Sequence, residues 1–264
     1  MTSTTGPAVT RPARRRTSAP LRLTVAEARL YLREPAVLFF TIILPLGLAL
    51  VLGNFLPGMR EPDPLMNGQR AVDTQLPVMM ITLAAMTSAF TIVPGVLALY
   101  RERGVLRRMS VTPVPPALVL AVQLLLNVTI SLLATLLMIA AVVLAFDSRP
   151  PAAPLWFAVS FLAGVVALFA IGLLLAAVVP GSRAAGGAGS VVMFPLLFLA
   201  GMWIPREHMP DGLRVASDIS PGGAFGQALR DAWAGAAPQP LHLAVLLGWT
   251  LVAGLLAARL FRWE

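Results

Sequence analysis

The sequence predicts an all-α polytopic membrane protein, on three observations. Its 264 residues are 58% hydrophobic and only 12% charged, whereas a soluble domain carries about a quarter charged residues. Six segments meet or approach the roughly 20 apolar residues that a helix needs to cross a hydrocarbon core about 30 Å thick. The basic residues, all twenty of them arginine, crowd into alternate connections between those segments.

The chain begins with a basic, proline-bearing stretch, residues 1–20, too polar to bury a core and read as a disordered tail. Residues 21–34 (LRLTVAEARLYLRE) place Arg22, Arg29 and Arg33 on one helical stripe and Leu21, Val25, Ala28 and Leu32 on the next. That pattern predicts an interfacial helix with snorkelling arginines. The spans follow at 36–56, 77–99, 117–146, 155–179, 188–205 and 241–258. The third, with 30 residues, is long enough to tilt or protrude, and the fifth and sixth, with 18 each, sit at the short end. Between 196 and 235 the pattern is least regular. Pro195, Pro205, Pro210 and Pro221 interrupt it, and AFGQALRDAW (224–233) predicts a short helix. Irregular backbone at membrane depth must be covered by protein or water, so a re-entrant or lid-like element is expected before the sixth span. Residues 21–264 thus make one transmembrane domain.

Arginine bias sets the expected orientation. With the N-terminus cytosolic, the inner segments carry fourteen arginines and the outer ones six, and the outer ones hold eight of the twelve acids. Both termini are therefore expected inside. The net charge of +8 is explained by this topology and does not call for nucleic acid as a partner.

Composition also excludes chemistry. The chain contains no lysine, so it has no Walker A lysine for ATP phosphates and no Schiff-base residue. It has no cysteine and only two histidines, His208 and His242, which rules out thiolate catalysis and a Cys/His zinc site. The predicted span windows contain no Asp, Glu or Arg, which disfavours an ion-coupled carrier, whose working charges sit mid-membrane. GGAGS (186–190) follows no strand and lacks a lysine; its small residues suit close helix approach. A membrane enzyme acting on a lipid-linked substrate would have to rely on Glu207, His208 and Asp211, a set too sparse for a metal.

Two features remain. Gln123, Asn127 and Ser131 recur every four residues on one face of the third span, either as a polar pathway lining or as a helix-packing seam. The segment YRERGVLRRMSVTP (100–113) packs Arg101, Arg103, Arg107 and Arg108 around Leu106 and Met109, with Glu102 one turn before Leu106 and Pro113 ending the run. A loop that only fixes topology needs no apolar strip; a short amphipathic helix framed by charge suits protein docking.

Four stretches taken together resemble the permease subunits of type-2 ABC exporters, the family that includes daunorubicin-type drug-resistance permeases. They are REPAVLFFTIILPLGLALVLG (33–53), VPGVLALYRERGVLRRMSVTP (93–113), LAGMWIPREHMP (199–210) and ISPGGAFGQALRDAW (219–233). The resemblance implies two permeases, identical or related, paired in a bacterial plasma membrane, with separate ATPase subunits bound from the cytosol. Mg-ATP would sit on those subunits and not on this chain. Glu102, Arg103, Gly104, Leu106 and Met109 would belong to the coupling helix seated in an ATPase groove, between spans two and three. Substrates of the family are amphipathic drugs, antibiotics or lipids, moved outward. Residues 57–76 carry nothing over.

Overall fold

The computed structural model of the chain describes residues 24–25, 28–29, 31, 33–64, 68–104 and 116–260, with backbone alone at 116–120 and at Glu207. In chain order its elements are α1 (Pro35–Phe55), β1 (Pro62–Asp63), β2 (Gln69–Arg70), α2 (Gln75–Glu102), α3 (Pro116–Phe146), α4 (Pro154–Val178), α5 (Ser182–Leu199), α6 (Asp211–Ile219), α7 (Pro221–Trp233) and α8 (Pro240–Leu260). The predicted basic tail, and most of the predicted helix over 21–34, lie outside the described residues. Of the latter, Tyr31 places its hydroxyl 3.5 Å from Ser88 Oγ on α2.

Six of these helices, α1 to α5 and α8, are long and apolar enough to cross a membrane. Five agree with the sequence windows to within three residues. The fifth does not: it runs from Ser182 to Leu199, six residues earlier than expected. Its first turns, SRAAGG, look like a poor helix by propensity, yet packing against α2 holds them. At the far end Gly201 turns the chain with φ +85°, a conformation that glycine adopts freely. The longer helices also take in charges that the windows excluded, all at helix ends: Arg101 and Glu102 on α2, Arg183 on α5 and Arg259 on α8.

Two helices form the interior. Of the most apolar stretch of each span, 78% is buried in α2 and 61% in α4, against 22–28% in α1, α3, α5 and α8. Met80, Met86 and Phe90 of α2 and Phe161, Val165 and Phe169 of α4 make the core with Phe225 and Leu229 of α7. The outer helices show apolar side chains to the surroundings, among them Leu144, Val191 and Leu251. In lipid such a face carries no penalty, so association rests on close packing instead.

That packing starts from prolines. Pro45 and Pro94 each lack the amide that would bond back four residues, and each ring crowds the turn before it. Both helices widen there into a π-turn, Phe39–Ile43 in α1 and Ser88–Ile92 in α2. The carbonyls of Ala89 and Phe90 on α2 press against Gly172 of α4 and Gly189 of α5, where any Cβ would overlap them. Glycine is required at both positions for the close approach of backbones.

The irregular region folds into a helical pair that enters the bundle and returns. At its corner Ser220 accepts the amide of Gly223 at 2.9 Å and donates to Ser217 O, also at 2.9 Å. The corner lies deep: Trp249 Nε1 donates to Ile219 O at 3.1 Å, and Phe225 rests on Gly164 of α4. Gly164 is about ten residues, or roughly 15 Å of helix, from the start of α4. By Trp233 the chain is back at the end where it began, donating from Nε1 to Arg149 O at 3.1 Å. α7 is buried along nearly its whole length, so protein covers this element.

Candidate functional site

The end of the bundle that carries the 100–116 segment is built by α2. Its last residues bond to two neighbouring helices at once. Arg101 Nη2 donates to Ala176 O at 3.0 Å and to Val179 O at 2.6 Å, satisfying carbonyls left open where α4 stops. Glu102 accepts the Ser182 amide on Oε1 at 2.7 Å and the Ser182 hydroxyl on Oε2 at 2.8 Å, so its charge meets the first turn of α5. A Cβ on Gly181 would fall 2.6 Å from Glu102 Oε1, so glycine there leaves room for the carboxylate.

Glu102 is the last residue of α2. The Arg103 and Gly104 amides donate to Leu99 O and Arg101 O, each at 3.0 Å, and Gly104 takes φ +63°. A Cβ on Gly104 would meet nothing within 4 Å, so the demand for glycine is conformational and not steric. Arg103 is exposed. Leu106 and Met109 lie outside the described residues. The sequence suggested Glu102 as a charge facing a partner; in the structure both its oxygens are engaged by Ser182.

The polar stripe of α3 faces protein. Gln123, Asn127 and Ser131 are all buried, Asn127 to 1% exposure. Asn127 Oδ1 stands 3.4 Å from Ser88 Oγ of α2, and Asn127 Nδ2 donates to Gln123 O at 2.8 Å. Ser131 Oγ is buried without a hydrogen-bond partner. The stripe therefore forms a polar seam between α3 and α2 in this arrangement.

At the opposite end, marked by the β1–β2 hairpin, two charged groups that sequence reasoning did not single out are drawn inward. Arg230 of α7, 8% exposed, donates to Gln75 Oε1 at 3.2 Å, to Ala200 O at 3.4 Å and to Gln227 Oε1 at 2.8 Å. Gln75, at the start of α2, itself donates to Gly201 O at 3.2 Å. Asp218 of α6 receives both Arg206 nitrogens, at 2.8 and 2.7 Å, and has His242 Nε2 at 3.3 Å. The Arg206 fork holds the Asp218 carboxyl below the usual carboxylate range; partial burial opposes the charge, and the contact with His242 adds to the lowering. Nearby, Asp73 is disfavoured as an anion by its burial, yet bonds from Arg70 and Ser148 outweigh this and also leave it below the ordinary value.

Of the trio considered for an enzyme, the Glu207 side chain lies outside the described residues. His208 is exposed, and Asp211 is fully exposed with only a 3.9 Å contact to Arg214. Among the described residues no group of three or more His, Cys, Asp and Glu stands together. A cleft of about 580 Å³ opens at this end between the hairpin, the α3–α4 connection and Trp233, and the pair Arg70–Asp73 lines it.

Six spans, interlocked at backbone distance and charged only toward their ends, define a multi-pass membrane protein of the permease type. The chain belongs to the ABC-2 type transporter family, whose model matches residues 21–233. It is thus the transmembrane component of an ABC transporter. No curated protein matches the chain.

Proposed function

We propose that the chain forms the pathway of an ATP-driven exporter for a hydrophobic or amphipathic compound such as a drug, antibiotic or lipid. The end bearing 100–116 faces the cytosol of a bacterium, with both termini inside and the hairpin end outside. A second permease, identical or related, pairs with it, and ATPase subunits carrying Mg-ATP dock on the segment that begins at Glu102. Within that segment Arg103 and the Gly104 turn direct the chain, while Leu106 and Met109 supply the apolar contact. One observation carries this reading: α2, the most buried span, runs straight into the docking segment, so a displacement there reaches the core. Gln123, Asn127 and Ser131 line the pathway when α3 parts from α2.

The test is the energy source and the partner together. Transport of an amphipathic dye by cells expressing the permease and its ATPase should stop when ATP is depleted at constant membrane potential and pH gradient. It should continue when those gradients are collapsed and ATP is maintained. The reverse result supports an ion-coupled carrier. Orientation is read separately. The chain has no cysteine of its own, so Arg183→Cys and Asp211→Cys, both exposed, should label from opposite sides of the membrane.

A further inference from the structure

The helix that leads into the docking segment is fastened to α5 at three depths. At one end Glu102 holds the Ser182 amide and hydroxyl, at 2.7 and 2.8 Å. Midway, the Phe90 carbonyl rests on Gly189 with no space for a Cβ. At the other end Gln75 donates to Gly201 O at 3.2 Å, while Arg230 bridges Gln75 and Ala200 O. Three contacts spaced along two helices remove the freedom of one to tilt against the other. Arg101 extends the fastening to the end of α4 through Ala176 O and Val179 O. By contrast, α3 meets α2 through the seam at Asn127 and Ser88, and one turn further along α3 the buried Ser131 hydroxyl lacks a partner. That seam is the weaker join, because an orphaned buried polar group costs free energy that separation and hydration recover.

We infer that α2 and α5 move as a single lever whose fastening at the docking end is Glu102–Ser182, so that displacement of the docking segment is handed to α5 and is not absorbed at 179–181. Glu102, Gly181 and Ser182 are then positioning residues for transport. The lever carries the exposed face of α5, with Val191 and Phe194, wherever the docking segment goes. This deepens the proposed function and rests on it for the source of the motion, though not for the lever's existence.

Ser182→Pro separates the lever from the docking surface. Ser182 is the first residue of α5 and follows an extended Gly181, a position where proline fits the helix and its preceding residue. The substitution removes both donors to Glu102 while leaving Glu102 and the docking segment unchanged; Ser182→Thr retains both donors. Spin labels go on Gly95 of α2, Gly187 of α5 and Gly47 of α1, where an added Cβ meets nothing within 4 Å.

In the permease alone, in nanodiscs diluted with unlabelled protein, the Gly95–Gly187 distance distribution should be narrow. It should broaden by about two-fold in Ser182→Pro, where the first turn of α5 has lost its cap, and stay narrow in Ser182→Thr. An unbroadened Ser182→Pro overturns the lever without reference to any ATPase. In the complex, passing from the nucleotide-free to the vanadate-trapped state should shift Gly47–Gly187 and leave Gly95–Gly187 unchanged. A shift in Gly95–Gly187 as large as that in Gly47–Gly187 likewise overturns it. Ser182→Pro should capture the ATPase as the native chain does while losing the Gly47–Gly187 shift. Failure of the native chain to capture an ATPase refutes the docking proposal, while the distances in the isolated permease still decide whether the lever exists.

Discussion

The two ends of α2 are fastened by opposite means. At the hairpin end the fastening is buried: Arg230 and Gln75 satisfy carbonyls at the close of α5, and α7 covers them. At the other end half-buried Arg101 and exposed Glu102 do similar work on α4 and α5. Water competes for the exposed bonds and screens their charges, so they add little to stability. The buried ones cannot be broken without leaving polar groups unsatisfied. One end is therefore built to stay, and the other to register a push.

Arg230→Ala is the strongest way to break that contrast. It leaves Gln75, Gln227 and the Ala200 carbonyl short of a buried donor, and should destabilise the permease by about 3 kcal/mol. The measurement is thermal inactivation in detergent at a fixed scan rate. Loss no greater than that of an exposed arginine such as Arg103→Ala would remove the distinction between the ends.

Leu106→Ala probes the exposed end, with an effect next in size. Truncating a central apolar contact costs about 2 kcal/mol of association, roughly a thirty-fold loss of ATPase capture. Co-purification at matched membrane levels reads it. Thermal stability of the permease alone should not change, and normal capture returns the segment to a loop that only fixes topology.

A smaller effect is expected at Asp218. Asp218→Asn should cost about 1–2 kcal/mol, since its ion pair with Arg206 is only partly shielded. Its folded carboxyl lies below the unfolded value. The contribution is therefore complete above the unfolded pKa, about 4, and disappears as pH falls through the folded one. The stability difference between native and Asn proteins should shrink as pH falls below that value. A constant difference across that range would mean that packing, not charge, holds α6.

The six spans were legible in the sequence because bilayer thickness fixes their length and the apolar runs have little competition. The turn at Gly104 was not: the pattern of 100–113 read as one short amphipathic helix through that residue, whereas Gly104 takes φ +63° just past the end of α2. What escaped had no local signature. Arg206 meets Asp218 twelve residues on, and Arg230 meets Gln75 across 155 positions; no periodicity announces either pair. The fifth span was misplaced because SRAAGGAGS reads as a weak helix, whereas its glycine lets α2 approach and packing replaces propensity. The hairpin at 62–70 was missed because each strand has two residues, too few to show alternation.

The widened turn before Pro94 has a geometric consequence. A π-turn accommodates one residue more than a regular turn, and each residue of an α-helix advances the azimuth by about 100°. Everything from Val93 to Glu102 is therefore rotated by about that angle from where an unbroken helix would carry it. The rotation is what aims Arg101 at Val179 and Glu102 at Ser182. Deleting one residue from Ser88–Ile92 would leave the composition and span length almost unchanged, yet turn both side chains out of phase with the helices they fasten.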